Sequence, residues 1–361
     1  MTFEEARAQF PVVERFAYLN AGTNGPLARG TVEAMVAQEQ ADLESGRGGA
    51  EYFERALALR EQVREQLAAA VGVPVETLSL ATSTTNGCNI VLAGLGLGPD
   101  DEVVTTDGEH FGLLGALAAS PARVRVAEVR ELPPEESLEV LLGEVTQKTR
   151  LLALSHVCWV SGNRFPVEEL RRATGLPLLV DGAQSVGAIP FDATQFDYYA
   201  FSCQKWLCGP DPLGGLYVAD VDALRVALPT YFSLQSIEAD GDYVPKDGAL
   251  RFDSGWLAVP SLAGLVAALD CVPDWRFERA AEMAARCRER LVEAGLNVRT
   301  EAGQATLVTF EPRGGTTEEA AARAYEAGVV VRFLPNTPWI RASCGWWTSD
   351  EDLERLVAAV A

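Results

Sequence analysis

A chain of 361 residues, 48% of them hydrophobic, can bury a substantial core, and its length predicts two domains. Its 51 acidic residues outnumber 30 basic ones, and the net charge of -21, with no local basic patch, argues against nucleic acid or an anionic membrane as a partner. The start, Met1-Thr2-Phe3-Glu4-Glu5, lacks a basic leader before an apolar stretch, and no run approaches the roughly 18 apolar residues of a membrane span, so a soluble cytoplasmic protein is expected.

In chain order, residues 51–71 have helical composition and stop at Gly72-Val73-Pro74. Strand-like runs follow at 102–105, 124–129, 151–155, 178–180 and 215–218, alternating with helical signals. That alternation predicts an α/β fold with a mostly parallel sheet covered by helices, whose ligands bind beyond the carboxyl ends of the strands. The acidic and glycine-containing stretch 231–248 reads as a connection or flap. A second block from about 251, with helical segments at 263–270 and 276–294 and strands at 305–310 and 329–333, reads as a smaller α+β domain.

The seven cysteines, Cys88, Cys158, Cys203, Cys208, Cys271, Cys287 and Cys344, lack the paired spacing of a zinc site and read as reduced, mostly buried fillers. One lysine stands out. Lys148, Lys205 and Lys246 are the only lysines, and Lys205 is distinguished by its setting among Phe201, Trp206 and Leu207, in Phe201-Ser202-Cys203-Gln204-Lys205-Trp206. Asp181 ends the apolar run Leu178-Leu179-Val180. A lysine for a Schiff base and a carboxylate to keep a pyridine nitrogen protonated are the two groups that pyridoxal phosphate (PLP) chemistry requires.

Other residues add to that pairing. Ala81-Thr82-Ser83-Thr84-Thr85-Asn86-Gly87 opens an apolar, helix-like segment with hydroxyls, where backbone donors and the helix dipole suit a phosphate; simple capping is the alternative. Asp181-Gly182-Ala183-Gln184 puts a carboxylate and an amide three residues apart at a strand-to-loop turn.

Together these residues resemble the class V aminotransferase family of fold-type I PLP enzymes. The resemblance runs from Tyr18-Leu19-Asn20-Ala21 through Thr84-Thr85, Glu109-His110, Ser155-His156, Asp181 to Gln184 and Ser202 to Lys205, ending at Ile340-Arg341-Ala342-Ser343. It implies an N-terminal arm (1–20), a large PLP-binding domain (21–248) and a small C-terminal domain (249–361). By position it makes Lys205 the Schiff-base lysine, Asp181 the pyridinium partner and Gln184 the contact to the ring oxygen. Ser83, Thr84, Thr85 and Ser202 would surround the phosphate, and Arg341 would bind the substrate carboxylate. His110 would stack over the ring, with Phe111 as the alternative after a one-residue slip. His156 reads as a hydrogen-bonded histidine at a strand end.

Three departures qualify the match. Gln204 stands where many relatives have histidine, making any phosphate contact there uncharged. Trp159 replaces the asparagine usual in cysteine desulfurases. Trp256 replaces a threonine that often reaches the phosphate of a dimer partner, so a homodimer is implied without that particular contact.

Within the family, Ser155-His156-Val157-Cys158-Trp159-Val160-Ser161-Gly162 looks most like the cysteine or cystine C–S lyase branch, with isopenicillin-N-epimerase-like proteins as near relatives. A desulfurase needs a mobile cysteine upstream of the carboxylate-binding arginine, and residues 332–339 contain none. The expected activity is therefore β-elimination from a sulfur amino acid. Desulfuration, transamination and epimerisation are the alternatives within the family, and a non-catalytic binding protein is the alternative outside it.

Overall fold

The computed structural model describes residues 1–361. The chain enters through α1 (Phe3–Arg7), α2 (Val12–Arg15) and a two-residue strand β1 (Ala17–Tyr18), followed by two long helices, α3 (Arg29–Ser45) and α4 (Gly49–Val71). Then come β2 (Leu78–Ala81), α5 (Thr84–Gly94), β3 (Glu102–Thr106), α6 (Phe111–Ala119), β4 (Arg123–Ala127) and α7 (Pro134–Gly143). The large sheet is completed by β5 (Thr149–Ser155), α8 (Val167–Thr174), β6 (Leu178–Asp181), β7 (Tyr198–Ser202) and β8 (Gly214–Val218).

These strands lie in the order β2-β8-β7-β6-β5-β3-β4. The sheet is parallel from β7 to β4, and β8 runs antiparallel to both neighbours. Apart from the edge strand β4, the strands are buried almost throughout. Helices cover both faces, so inner strands read as continuous apolar runs instead of alternating ones. The five expected strands are all present. β2 and β7 were not anticipated: Leu-Ser-Leu-Ala and Tyr-Tyr-Ala-Phe-Ser are too short and mixed for periodicity to separate strand from helix.

The stretch expected as a connection or flap pairs into a short exposed hairpin, β9 (Leu234–Ile237) with β10 (Tyr243–Pro245). Beyond it lie α9 (Val259–Asp270), α10 (Arg276–Glu293), β11 (Leu307–Phe310), α11 (Thr317–Glu326), β12 (Val329–Val330), β13 (Arg332–Phe333), β14 (Ile340–Ser343) and α12 (Asp350–Val360). β11, β14 and β13 form an antiparallel sheet in that order. The single strand expected at 329–333 is two, because β12 pairs with β1 while β13 pairs with β14.

Two packing features refine the expected division of the chain. Although α9 lies beyond residue 248, it packs on α3 and α4, and its Leu262 and Leu265 join the large hydrophobic core. The N-terminal arm is tied to the C-terminal part through β1, and Ala17 and Leu19 share a core with Met283, Cys287, Ile340 and Leu353. No helix is long and apolar enough to cross a membrane.

Candidate active site

All ten residues assigned roles by the sequence converge on one cleft of about 270 Å³ at the carboxyl ends of the parallel strands: Ser83, Thr84, Thr85, His110, Asp181, Gln184, Ser202, Gln204, Lys205 and Arg341. At one end, Ser83 caps α5 by accepting the Asn86 N–H at 3.1 Å. Thr84 donates its N–H to the Ser202 hydroxyl (2.8 Å), and the two hydroxyls also bond at 2.8 Å. The end of β7 is thereby fastened to the amino end of α5, where the Thr85 N–H, without a partner in the chain, and the helix dipole favour an anion.

Deeper in, Asp181 closes β6 and accepts the Ala183 N–H through Oδ1 at 2.9 Å. Burial raises its carboxyl above the ordinary range, opposed by Lys205 and the Ala183 N–H. Gln184 has a fixed orientation. Its Oε1 accepts the Trp206 indole N–H at 3.0 Å and its Nε2 donates to the Gly22 carbonyl at 2.9 Å. Indole can only donate, so the amide cannot flip, and the second Nε2 proton remains for a ligand oxygen.

Burial pulls the Lys205 amine down to about 8, with Asp181 holding it up and Arg341 pressing it further down. The neutral amine is the nucleophile. The rate at which the cofactor-free protein captures PLP, followed by visible absorbance, is therefore expected to rise with pH through about 8 and then level off. A rate independent of pH between 6.5 and 9.5, roughly 1.5 units either side, would contradict a titrating lysine.

Arg341, in β14, is 2% exposed. Its one hydrogen bond within the chain runs from Nη1 to the Trp159 carbonyl at 2.6 Å, and Nε is buried without a partner. The fork edge formed by Nε and Nη2 is thus left for a planar anion. Burial, then the charge of Arg332, pulls the guanidinium down to about 9, with Cys158 opposing. Gly22 makes this arrangement possible, since a Cβ there would lie 2.7 Å from Arg341 Nη2. Gly25 is needed for a similar reason: a Cβ would collide with the Lys205 carbonyl, while its N–H donates to the Gln204 carbonyl at 2.7 Å.

The cleft is also lined by Gly22, Thr23, Ala183 and Arg332, which the sequence reading did not assign. The run Gly22-Thr23-Asn24-Gly25 was a visible signal of close backbone approach. Arg332 had none, because only the antiparallel register of β13 and β14 sets it opposite Arg341.

His110 caps α6, its Nδ1 accepting the Gly112 N–H at 3.2 Å, which puts the ring proton on Nε2. Loss of solvent, then the charges of Lys205, Arg341 and Arg332, pulls the ring down to about 4, so it is neutral at pH 7. It meets the Trp159 ring edge to face, with centroids 5.1 Å apart. Phe111 is 61% exposed and outside the cleft lining, which favours His110 as the stacking ring. His156 stays away from the cleft, its ring buried against Phe191 and Phe196 and its backbone N–H donating to the Asp181 carbonyl at 3.0 Å.

Six cysteines are buried and Cys271 is half-buried; none lines the cleft. Cys344, three residues after Arg341, packs with Cys287 in the C-terminal core. Behind the amino end of α5 lies a buried charge cluster. Asp253 accepts from Arg60 (3.0 Å), from Arg64 (2.8 Å and 3.0 Å) and from the Leu80 N–H (2.9 Å). The next residue, Ser254, bonds Asn86 of α5 through its hydroxyl at 2.5 Å.

This donor set fits PLP. An amino helix end with hydroxyls suits its phosphate, a buried carboxylate without a cation in contact suits its protonated ring nitrogen, Gln184 keeps a free donor for its ring oxygen, and Lys205 is a weakened amine. The comparisons agree. An isopenicillin N epimerase of Amycolatopsis lactamdurans is 31% identical over 398 residues, spanning 98% of this chain and 97% of the relative. A cysteine desulfurase of Serratia proteamaculans is 26% identical over 400 residues, spanning 99% and 97%. Among solved structures, the complex of the cystine C–S lyase C-DES with its reaction product cysteine persulfide matches with a TM-score of 0.89 at 30% identity, over 97% of this chain and 98% of that one. A lysine-to-alanine mutant of C-DES with glycine covalently linked to its PLP cofactor matches with a TM-score of 0.89 at 29% identity, over 98% of each chain. The aminotransferase class-V model matches residues 18–356, so the chain belongs to that family and is a PLP-dependent enzyme.

Proposed function

We propose that the protein catalyses β-elimination of sulfur from cysteine, cystine or a related sulfur amino acid, releasing pyruvate, ammonia and a sulfur product. The observation that carries this reading is a cleft with a lysine, a buried acid and an arginine with one free fork edge, yet no cysteine to take up sulfur as a persulfide. Its likeness to a cystine C–S lyase at 30% identity and a TM-score of 0.89 supports it.

Bound PLP supplies an electrophilic carbon for the substrate amine and a protonated ring that withdraws electrons from Cα. The chain's residues do the rest. Arg341 binds the substrate carboxylate through its free edge and so fixes which bond at Cα faces the cleft. Lys205 Nζ takes the Cα proton as general base. Asp181 holds the proton on the pyridine nitrogen, and Ser83, Thr84 and Ser202 hold the phosphate.

The test is a screen of cysteine, cystine and cysteine S-conjugates for pyruvate release by PLP-loaded protein; no pyruvate from any of them would reject the proposal. The isopenicillin N epimerase relatives favour one second reading, inversion at Cα without elimination, and chiral analysis of recovered substrate separates the two. Alanine with bound persulfide would instead indicate desulfuration, and keto-acid-dependent amino transfer a transaminase. Arg341→Lys, which loses the two-pronged fork, is expected to raise KM about tenfold or more while PLP loading is unchanged. An unaltered KM would remove Arg341 from substrate binding.

The same reading carries a homodimer. Trp256, 50% exposed, packs with Tyr52, Phe53 and Phe232 beside a surface concavity of about 870 Å³ that reaches Thr82, the neighbour of Ser83. Light scattering is expected to give twice the chain mass, and a monomer at micromolar concentration would contradict it.

A further inference from the structure

Glu109 is a buried acid that the elimination reading does not use. It is 4% exposed, immediately precedes His110, and accepts hydrogen bonds from two strand ends. Its Oε1 accepts the Thr106 hydroxyl at 2.7 Å and the Ser155 N–H at 3.1 Å; its Oε2 accepts the Ser155 N–H at 3.0 Å and the Ser155 hydroxyl at 2.6 Å. Thr106 ends β3 and Ser155 ends β5. In the parallel register of β5 and β6, Ser155 is the direct neighbour of Asp181, so their side chains project from the same face.

We propose that Glu109 is a positioning residue for the PLP ring: through Ser155 it locks the loop presenting His110 to the strand end presenting Asp181. The inference rests on the PLP reading of the cleft. The two ring contacts come from different elements, the end of β6 and the start of α6, and Glu109, just before α6, is fastened to the ends of the neighbouring strands β3 and β5, the second of which pairs with β6. A carboxylate suits the task because the Ser155 N–H, shared by both oxygens, can only donate, and the Thr106 and Ser155 hydroxyls can turn to donate as well. An amide of the same shape would turn one oxygen into a donor, and in either orientation that donor faces the Ser155 N–H. No cation pairs with the acid; burial pushes its carboxyl up to about 7, the Ser155 and Thr106 donors pull it back, and Asp181 repels it. Asp181 from β6, Cys88 from α5 and Cys158 from the loop after β5 are the titratable groups electrostatically coupled to it. A buried acid kept at this cost needs a reason, and ring alignment supplies one.

The experiment uses PLP-loaded Glu109→Gln, Ser155→Ala and the double variant. Visible circular dichroism per bound PLP, which reads the orientation of the ring in its site, is expected to fall by half or more in Glu109→Gln. On whichever substrate the enzyme turns over, kcat is expected to fall about tenfold, with KM changing less than about threefold because Arg341 lies on another element. The double variant should lose no more than the worse single, since both remove one link. Unchanged dichroism in Glu109→Gln overturns the proposal, as does a double variant whose losses multiply. If Glu109→Gln does not fold, Ser155→Ala and Thr106→Val, each withdrawing one hydroxyl, carry the test, and unchanged dichroism in both overturns it. Failure of the elimination reading would show as absent pyruvate with the unaltered enzyme, which leaves the dichroism readout intact.

Discussion

Lys205→Ala is expected to lower turnover on the order of a thousandfold or more and to abolish covalent capture of PLP, read by pyruvate release and by loss of the visible absorbance of the loaded protein. No other group in the cleft can take over. His110, pulled down to about 4 with Nδ1 engaged by the Gly112 N–H, is too weak a base at pH 7. Asp181 is taken up by the ring nitrogen in the proposed reading, and the cysteines lie outside the cleft. Lys205→Arg should fare no better, because a guanidinium keeps its proton at neutral pH and cannot act there as nucleophile or base. Small amines in the buffer should restore part of the activity of Lys205→Ala, since the cavity and its other contacts remain. Retention of a tenth of the original rate by Lys205→Ala would remove this lysine from the chemistry.

A different kind of loss is expected at Asp253, far from the reacting atoms. Asp253→Ala leaves the guanidinium groups of Arg60 and Arg64, 4% and 1% exposed, without a buried counter-charge. Breaking a buried pair from one side costs about 3–5 kcal/mol, a large share of the total stability of a typical chain. The Leu80 N–H and the Ser79 hydroxyl lose their acceptor as well. Denaturant unfolding of the cofactor-free protein reads the effect. The loss should also reach the phosphate end, because Ser254 holds Asn86 of α5 and the chain at 253–254 would no longer be fixed. Weaker PLP retention should therefore accompany the stability loss. A change under 1 kcal/mol would mean that the cluster relaxes or hydrates without penalty, contrary to its burial.

Much of the site was legible in the sequence because it is built from short motifs at strand ends. Asp181 and Gln184 lie three residues apart in one turn, Ser202 and Lys205 in the next, and Ser83 to Thr85 open α5. Each motif carries its own local geometry, so its chemistry survives without knowledge of the rest. Residues whose role depends on register or packing were not legible. Arg332 faces the cleft only because β13 runs antiparallel to β14, and Gly22 matters only because the N-terminal strap crosses Arg341. Trp159 was noticed for its side chain, while its carbonyl is the group that holds Arg341.

The chain by itself determined the α/β alternation, the lysine and acid pair, the hydroxyl-rich helix start and the family, since these follow from residue types at fixed local spacing. Tertiary structure decided the strand order, the union of the N-terminal arm with the C-terminal sheet, and the placing of α9 against the large core. It also decided that Arg341 keeps a free edge and that Glu109 bridges two strand ends. Such facts depend on contacts between residues far apart in the chain, whose pairing is settled by burial and register instead of local sequence pattern.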